Sequence, residues 1–343
     1  MGADVIDAAE LASRVDGIIV GLIRASTTLV PDDLVPVLSE HVTEAGFIAA
    51  AILLADHDQL LLTPLPGAPA DLAPQPVESS VAGRAFQTER PLSVADEAGG
   101  GTIWLPVLDG AERLGVLMLR TPVVADEVVS RCADIAGLLG ELIVSKSQYG
   151  DTLIRARRMK DMTLAAELRW GTLPPLTFTG THVGIACVLE PAYEVAGDAF
   201  DYAVNDEVLH LAIFDAMGHG LEASRMANLT LAAYRWARRR RCDLTETFEA
   251  IDQALAQEFG DDKFVTGLLG TLHSRGGTLR WISAGHPAPL LLRGSRVASE
   301  LHLMPSLPLG LGAADITVGE ASLEPGDRLL FFTDGLVEAK SPG

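Results

Sequence analysis

Residues 212–220 read AIFDAMGHG. Three apolar residues of strand type run into Asp215, and Gly218 and Gly220 then give the chain the freedom to turn. From Leu221 to Arg240 the apolar residues recur at helical spacing, so the stretch reads as a strand, an acidic strand end, a glycine turn and a helix that returns over the sheet. Two other segments repeat the acidic strand end: VAGDAFD, with Asp198, and FFTDGL, with Asp334. A carboxylate placed where an apolar strand opens beside glycine stands on a rigid base yet projects beyond the core, as a hard-cation site requires. Taken singly, an aspartate beside glycine or alanine is most often turn punctuation. Three in one setting, on segments that a single sheet can gather, read as a candidate cluster for two Mg²⁺ or Mn²⁺ ions acting on a phosphoryl group.

Working outward, short extended segments are expected over 182–189, 200–204, 208–214, 264–273, 278–283, 289–293 and 328–332, interrupted by helices over 221–240 and 244–259. That alternation predicts a layered α+β domain. The chain contains neither a G-x-S-x-G elbow nor a Gly-rich loop closed by Lys-Ser/Thr, which weighs against acyl transfer and P-loop chemistry. His219 and His286 each follow a strand. Either can contact a phosphate or protonate a leaving oxygen, but turn packing is the commoner use of such residues and neither is placed in the catalytic set.

Six segments in order, LEPAYEVAGDAFDY (189–202), LAIFDAMGHGLEASRMA (211–227), FVTGLLGTL (264–272), SAGHPAPLLLR (283–293), PLGLG (308–312) and LEPGDRLLFFTDGLVEA (323–339), resemble bacterial PPM/PP2C phosphatases of the SpoIIE/RsbU type. The resemblance covers residues 174–343. It implies a β-sandwich flanked by helices, a serine/threonine phosphoprotein phosphatase activity, and Asp198, Asp215 and Asp334 as metal ligands, with Asp198 and Asp215 also the catalytic pair. The carbonyl after Asp215 would be a further ligand, and here it belongs to Ala216, where the family usually has glycine. The family continues past the TDGL segment through a helix to a final strand bearing another metal-binding aspartate. This sequence stops at Gly343, so the domain is expected to be C-terminally incomplete and its second metal site weakened. The implied substrate is a phosphorylated signalling protein such as an anti-sigma-factor antagonist. A non-catalytic scaffold built on the same domain is the competing reading.

In the front half, SSVAGRAFQTERPLSVAD (79–96) and TIWLPVLDGAERLGVLMLR (102–120) resemble a GAF domain, which implies a mixed sheet with helices and a small-molecule effector. Helices are expected over 5–29, 34–45 and 80–87, and Asp109-Gly110 marks a hairpin. From Asp126 to about Leu168 there is no proline, and Val128, Cys132, Ile135, Leu139 and Leu142 alternate at four and three. That spacing predicts a coiled-coil linker helix, and together with the resemblance it implies a homodimer. The expected organisation is a GAF-like sensor over 1–125, a helical linker over 126–173 and the phosphatase domain over 174–343.

Composition sets outer limits. Of 343 residues, 48% are hydrophobic and 21% charged, a folded rather than disordered balance. The net charge of −20 repels nucleic-acid backbones and anionic lipid surfaces, so neither is expected as a partner. The basic group Arg235 with Arg238–Arg241 reads as a solvated helix end. Three scattered cysteines and the absence of a leader-like or membrane-length apolar run predict a cytoplasmic protein.

Overall fold

The computed structural model describes residues 6–97, 99–190, 193, 197–260 and 262–338. Val5, part of the 189–202 segment and the chain end beyond Glu338 therefore lie outside the described residues. The chain divides into two compact units, Met1–Asp161 and Met162–Gly343.

The first unit contains α1 (Ala8–Ala25), α2 (Leu34–Ala45), β1 (Ala49–Ala55), β2 (Leu61–Pro64), β3 (Gln75–Pro76), α3 (Val81–Thr88), β4 (Leu92–Ala95), β5 (Gly101–Asp109), β6 (Glu112–Thr121), α4 (Asp126–Lys146) and α5 (Thr152–Ala156). Its strands form one sheet in the order β3-β2-β1-β6-β5-β4. The sheet expected to be mixed is antiparallel at every described pairing, because its neighbours are joined by hairpins or by returns that reverse direction. β1 is AAAILLA, buried along six of its seven residues, and reads as a continuous apolar run because both faces of the sheet are covered. Ala50, Ile52 and Leu54 face the core shared with α1, α2 and α4, whereas Ala51, Leu53 and Ala55 pack with Ala82 and Phe86 of α3.

Two expectations change here. The linker helix ends at Lys146 and is followed by a single turn, Ser147–Tyr149, and by Gly150 in extended conformation. Glycine is a poor helix interior residue and releases the chain at that point. The seam Val128, Cys132, Ile135, Leu139 and Leu142 is buried in the core of this unit, so its apolar surface is consumed within the fold and is not available to pair with a second helix. Four-three spacing describes any helix with one buried face, whether the partner is another chain or its own sheet.

The second unit contains α6 (Leu164–Trp170), β7 (Thr177–Thr179), β8 (Gly184–Ala186), β9 (Asp198–Asn205), β10 (Val208–Ala216), α7 (Gly220–Arg239), α8 (Leu244–Phe259), β11 (Val265–His273), β12 (Thr278–Ala284), β13 (Leu290–Arg293), β14 (Arg296–Glu300), β15 (Gly319–Ser322), β16 (Arg328–Leu330) and α9 (Asp334–Glu338). The main sheet runs β15-β12-β11-β10-β9 and a smaller one β14-β13-β16, again all antiparallel. Phe214, Leu269 and Ile282 pack against Met226, Leu231, Phe248 and Ile251 of α7 and α8. The opposite face, through Leu268, Leu279 and Trp281, meets Leu301, Leu303 and Leu329. α8 opens with a capping box of Asp243 and Glu246, which satisfies donors at both ends of its first turn. This is the helix-flanked, two-sheet α+β arrangement expected.

Candidate active site

Antiparallel pairing of β9 with β10 sets Asp198 directly opposite Asp215. Side chains at opposed positions lie on the same face of a sheet, and two like charges so placed repel. The repulsion shows as a preference for the protonated form: Asp215 is raised to about 6, first by burial and then by the charges of Asp198 and Asp334. Burial also raises Asp198, reinforced by Asp334 and opposed by the Thr333 hydroxyl and by Arg169. The Thr333 hydroxyl donates to Asp198 Oδ2 at 3.1 Å.

The two strand ends approach closely because Gly197 has no side chain. A Cβ there would stand 2.6 Å from the Ala216 carbonyl oxygen and 3.3 Å from Asp215 Oδ1, and the Ala216 N–H donates to the Gly197 carbonyl at 3.2 Å. Ala216 keeps a negative φ, and the left-handed turns fall instead on Gly218 at 90° and Gly220 at 72°. Alanine therefore presents its carbonyl at this position without backbone strain.

Asp334 begins α9 and is exposed. It lines a cleft of about 700 Å³ together with Asp215, Ala216, Gly218, Thr266 and His286. The structure thus brings Asp198 and Asp215 into contact and puts Asp334 within electrostatic reach of both. Among the described residues no three His, Cys, Asp or Glu side chains converge closely enough to hold one ion together. The donor set nevertheless suits a hard divalent cation: two half-buried carboxylates set against each other, a third at the cleft wall and a backbone carbonyl, all oxygen.

The two histidines part company. His219 is exposed at the N-terminus of α7 and makes no side-chain cap. His286 is 7% exposed; its Nε2–H donates to the Phe332 carbonyl at 3.0 Å and its Nδ1 accepts from the Thr266 hydroxyl at 2.9 Å. A carbonyl only accepts, which fixes the tautomer. Burial pushes His286 down to about 4, so with both ring nitrogens engaged it ties β11 to the segment entering Asp334 and has no proton to give at neutral pH.

Other residues were not legible as part of the site. Arg169 of α6 is fully buried, donates to Asn228 Oδ1 at 3.0 Å and adds positive charge near Asp198; a lone arginine in a helix gives no sequence signal. Gly197 and Thr333 sit inside the motifs, but only the packing reveals their use. The basic cluster also differs from expectation: Arg235 and Arg238 each reach Asp201 at 2.7 Å. Asp201 is 3% exposed, and a buried carboxylate requires such partners.

Residues 205–343 match the family described as Stage II sporulation protein E (SpoIIE). This part of the chain is a SpoIIE-family PP2C phosphatase domain. Protein IcfG of Synechocystis sp. is 24% identical over 243 residues, which cover 61% of this chain and 38% of that protein. Among solved structures, the RsbU and RsbW domains of a Mycobacterium tuberculosis protein share 33% identity over 41% of this chain and 40% of theirs, with a TM-score of 0.37. The PP2C domain and regulatory fragment of Bacillus subtilis SpoIIE share 23% over 42% and 43%, at 0.38. The GAF domain of a Coxiella burnetii phosphoenolpyruvate-protein phosphotransferase shares 15% over 42% of this chain and 98% of its own, at 0.34. The chain spans about two fifths of the length of the curated relative. No helix among the described residues is long and apolar enough to cross a membrane.

Proposed function

We propose that the chain is a metal-dependent phosphatase of phosphoserine and phosphothreonine residues in a cytoplasmic signalling protein, such as an anti-sigma-factor antagonist, and that the N-terminal unit regulates it on binding a small effector. The observation that carries the reading is the carboxyl pair Asp198–Asp215, opposed across two strands where a cation would relieve the repulsion. Asp198, Asp215, Asp334 and the Ala216 carbonyl would hold two Mn²⁺ or Mg²⁺ ions. Divalent cations there supply Lewis acidity toward a phosphoryl group and acidify water at neutral pH. The chain's own groups do the positioning. Gly197 lets β9 and β10 close up, Thr333 orients Asp198, and the neutral His286 steadies the segment leading to Asp334.

Phosphate release from a phosphoserine peptide and from p-nitrophenyl phosphate is expected with Mn²⁺, to vanish on chelation with EDTA and to return on adding the metal. Metal-independent turnover by the folded chain would refute the proposal. The alternative, a non-catalytic scaffold, is favoured by one observation, the failure of three carboxylates to converge among the described residues. It predicts partner binding that is indifferent to Asp215→Asn.

A further inference from the structure

The buried residues of α8 are Thr247, Phe248, Ile251, Asp252 and Leu255, of which one is acidic. Asp252 is 6% exposed. Its Oδ1 accepts the N–H of Gly310 at 2.7 Å and that of Gly312 at 3.1 Å, donors of the kind that a carboxylate taken out of water needs. Both glycines have a φ of 100°, where a side chain would be strained. The turn PLGLG (308–312) thus takes a shape that glycine permits and Asp252 holds.

That turn backs the start of β11. A Cβ on Gly310 would stand 2.8 Å from the Lys263 carbonyl oxygen and 3.7 Å from Phe264 Cα. One residue earlier, Leu309 exchanges both backbone hydrogen bonds with Val265, each at 2.9 Å. Neighbouring residues of a strand turn their backbone groups to opposite sides, and on the other side the Phe264 carbonyl accepts the Met217 N–H at 3.1 Å. This N–H shares a peptide unit with the Ala216 carbonyl. In a planar trans peptide the two point in opposite directions, so an N–H directed at Phe264 sends the Ala216 carbonyl toward β9. There a Cβ on Gly197 would meet the same oxygen at 2.6 Å, and Ala216 lines the carboxylate cleft.

We propose that Asp252 is a positioning residue for the metal centre, holding the 308–312 turn so that Phe264 keeps the Ala216 carbonyl aimed at the cation. The inference rests on the phosphatase reading above, in which that carbonyl is a metal ligand. A backbone ligand has no rotamer to adjust, so its direction is only as fixed as the peptide unit that carries it, and outer groups that fix a ligand set the affinity of a site. Without the carboxylate, the Gly310 and Gly312 N–H groups lose their acceptor and the turn loosens. The Met217 amide then loses the support behind its own acceptor.

The test titrates the full chain with Mn²⁺ by calorimetry and follows hydrogen exchange at the Met217 amide without metal. Asp252→Ala should weaken Mn²⁺ binding by about tenfold and speed exchange at Met217; the milder Asp252→Ser carries the same prediction where alanine prevents folding. Asp252→Asn retains a carbonyl acceptor and should bind Mn²⁺ within about twofold of wild type. Leu231→Ala, a core truncation on α7, separates positioning from stability: it costs at least as much stability and should leave Mn²⁺ affinity unchanged. If wild type binds Mn²⁺ and Asp252→Ala binds it equally well, or Leu231→Ala loses as much affinity, or Met217 keeps its protection, the proposal is overturned and the phosphatase reading stands. A wild-type chain that binds no Mn²⁺ overturns both.

Discussion

Asp56 and Asp215 occupy similar places in the two units, one just after β1 and the other at the end of β10. Both follow apolar strands, and by sequence both are strand-end aspartates. Asp56 is 1% exposed, and its Oδ1 accepts the N–H groups of Leu60 at 2.8 Å and Leu61 at 2.7 Å. The turn it closes satisfies it. Asp215 faces another carboxyl group and is raised to about 6. An acidic strand end becomes a site when the fold withholds donors from its oxygens, and a structural pin when the fold supplies them.

The sharpest way to break that contrast is to neutralise each acid. Asp215→Asn should reduce Mn²⁺-dependent phosphate release by about 10³-fold, the scale on which removing one electrostatic stabiliser acts, measured under saturating metal. A variant retaining more than a tenth of the rate would mean that the opposed pair is not the catalytic centre. Next in size is Gly197→Ala. Its Cβ would enter to 2.6 Å of the Ala216 carbonyl oxygen, and because the obstacle is backbone the strand ends must part. We expect Mn²⁺ affinity to fall by about 10–100-fold, as when the support of a metal ligand is lost. Titration calorimetry reads it, and unchanged affinity would show that close approach of β9 and β10 does not set the site.

How much of this was legible in the sequence follows the same division. α2 and α8 fall on their expected residues because periodicity and caps are local. β14 and β15 were not foreseen: RVASE is exposed throughout and GEAS has a single buried residue, so neither shows an apolar pattern, and each is a strand only because a neighbour pairs with it. α4 had the right period with the wrong partner, since spacing reports a buried face and not what buries it. At the site, the three aspartates were visible as residue types. Their register, the glycine gap and the two bonds that retire His286 were not, because each depends on residues far apart in the chain.

In the first unit the contrast predicts a purely structural loss. Asp56→Ala leaves the N–H groups of Leu60 and Leu61 without their carboxylate in a part-buried turn, at a cost of about 2 kcal/mol. Hydrogen exchange at those two amides should accelerate by roughly 30-fold. Protection equal to wild type would show that the turn holds without the acid.

The smallest expected effect is on pH dependence. Asp215 has a folded value of about 6 against an ordinary 3.8, so this group favours the metal-free folded state below about 3.8 and loses that contribution as pH rises through 6. At pH 7.5 the ionised pair is a liability, and Asp215→Asn should therefore raise the metal-free unfolding midpoint by about 2–4 °C, the response of a unit this size to roughly 1 kcal/mol. The gain should shrink as pH falls through 6 toward 4. His57 and His286, both pushed down to about 4 mainly by burial, act in the opposite sense: each contributes stability above 6.5 that is lost as pH falls toward 4. The wild-type midpoint alone mixes these effects. The difference between wild type and Asp215→Asn at each pH cancels the histidine contributions, and a difference that does not change between pH 7.5 and 4.5 would show that Asp215 is ionised throughout and that the pair holds no proton.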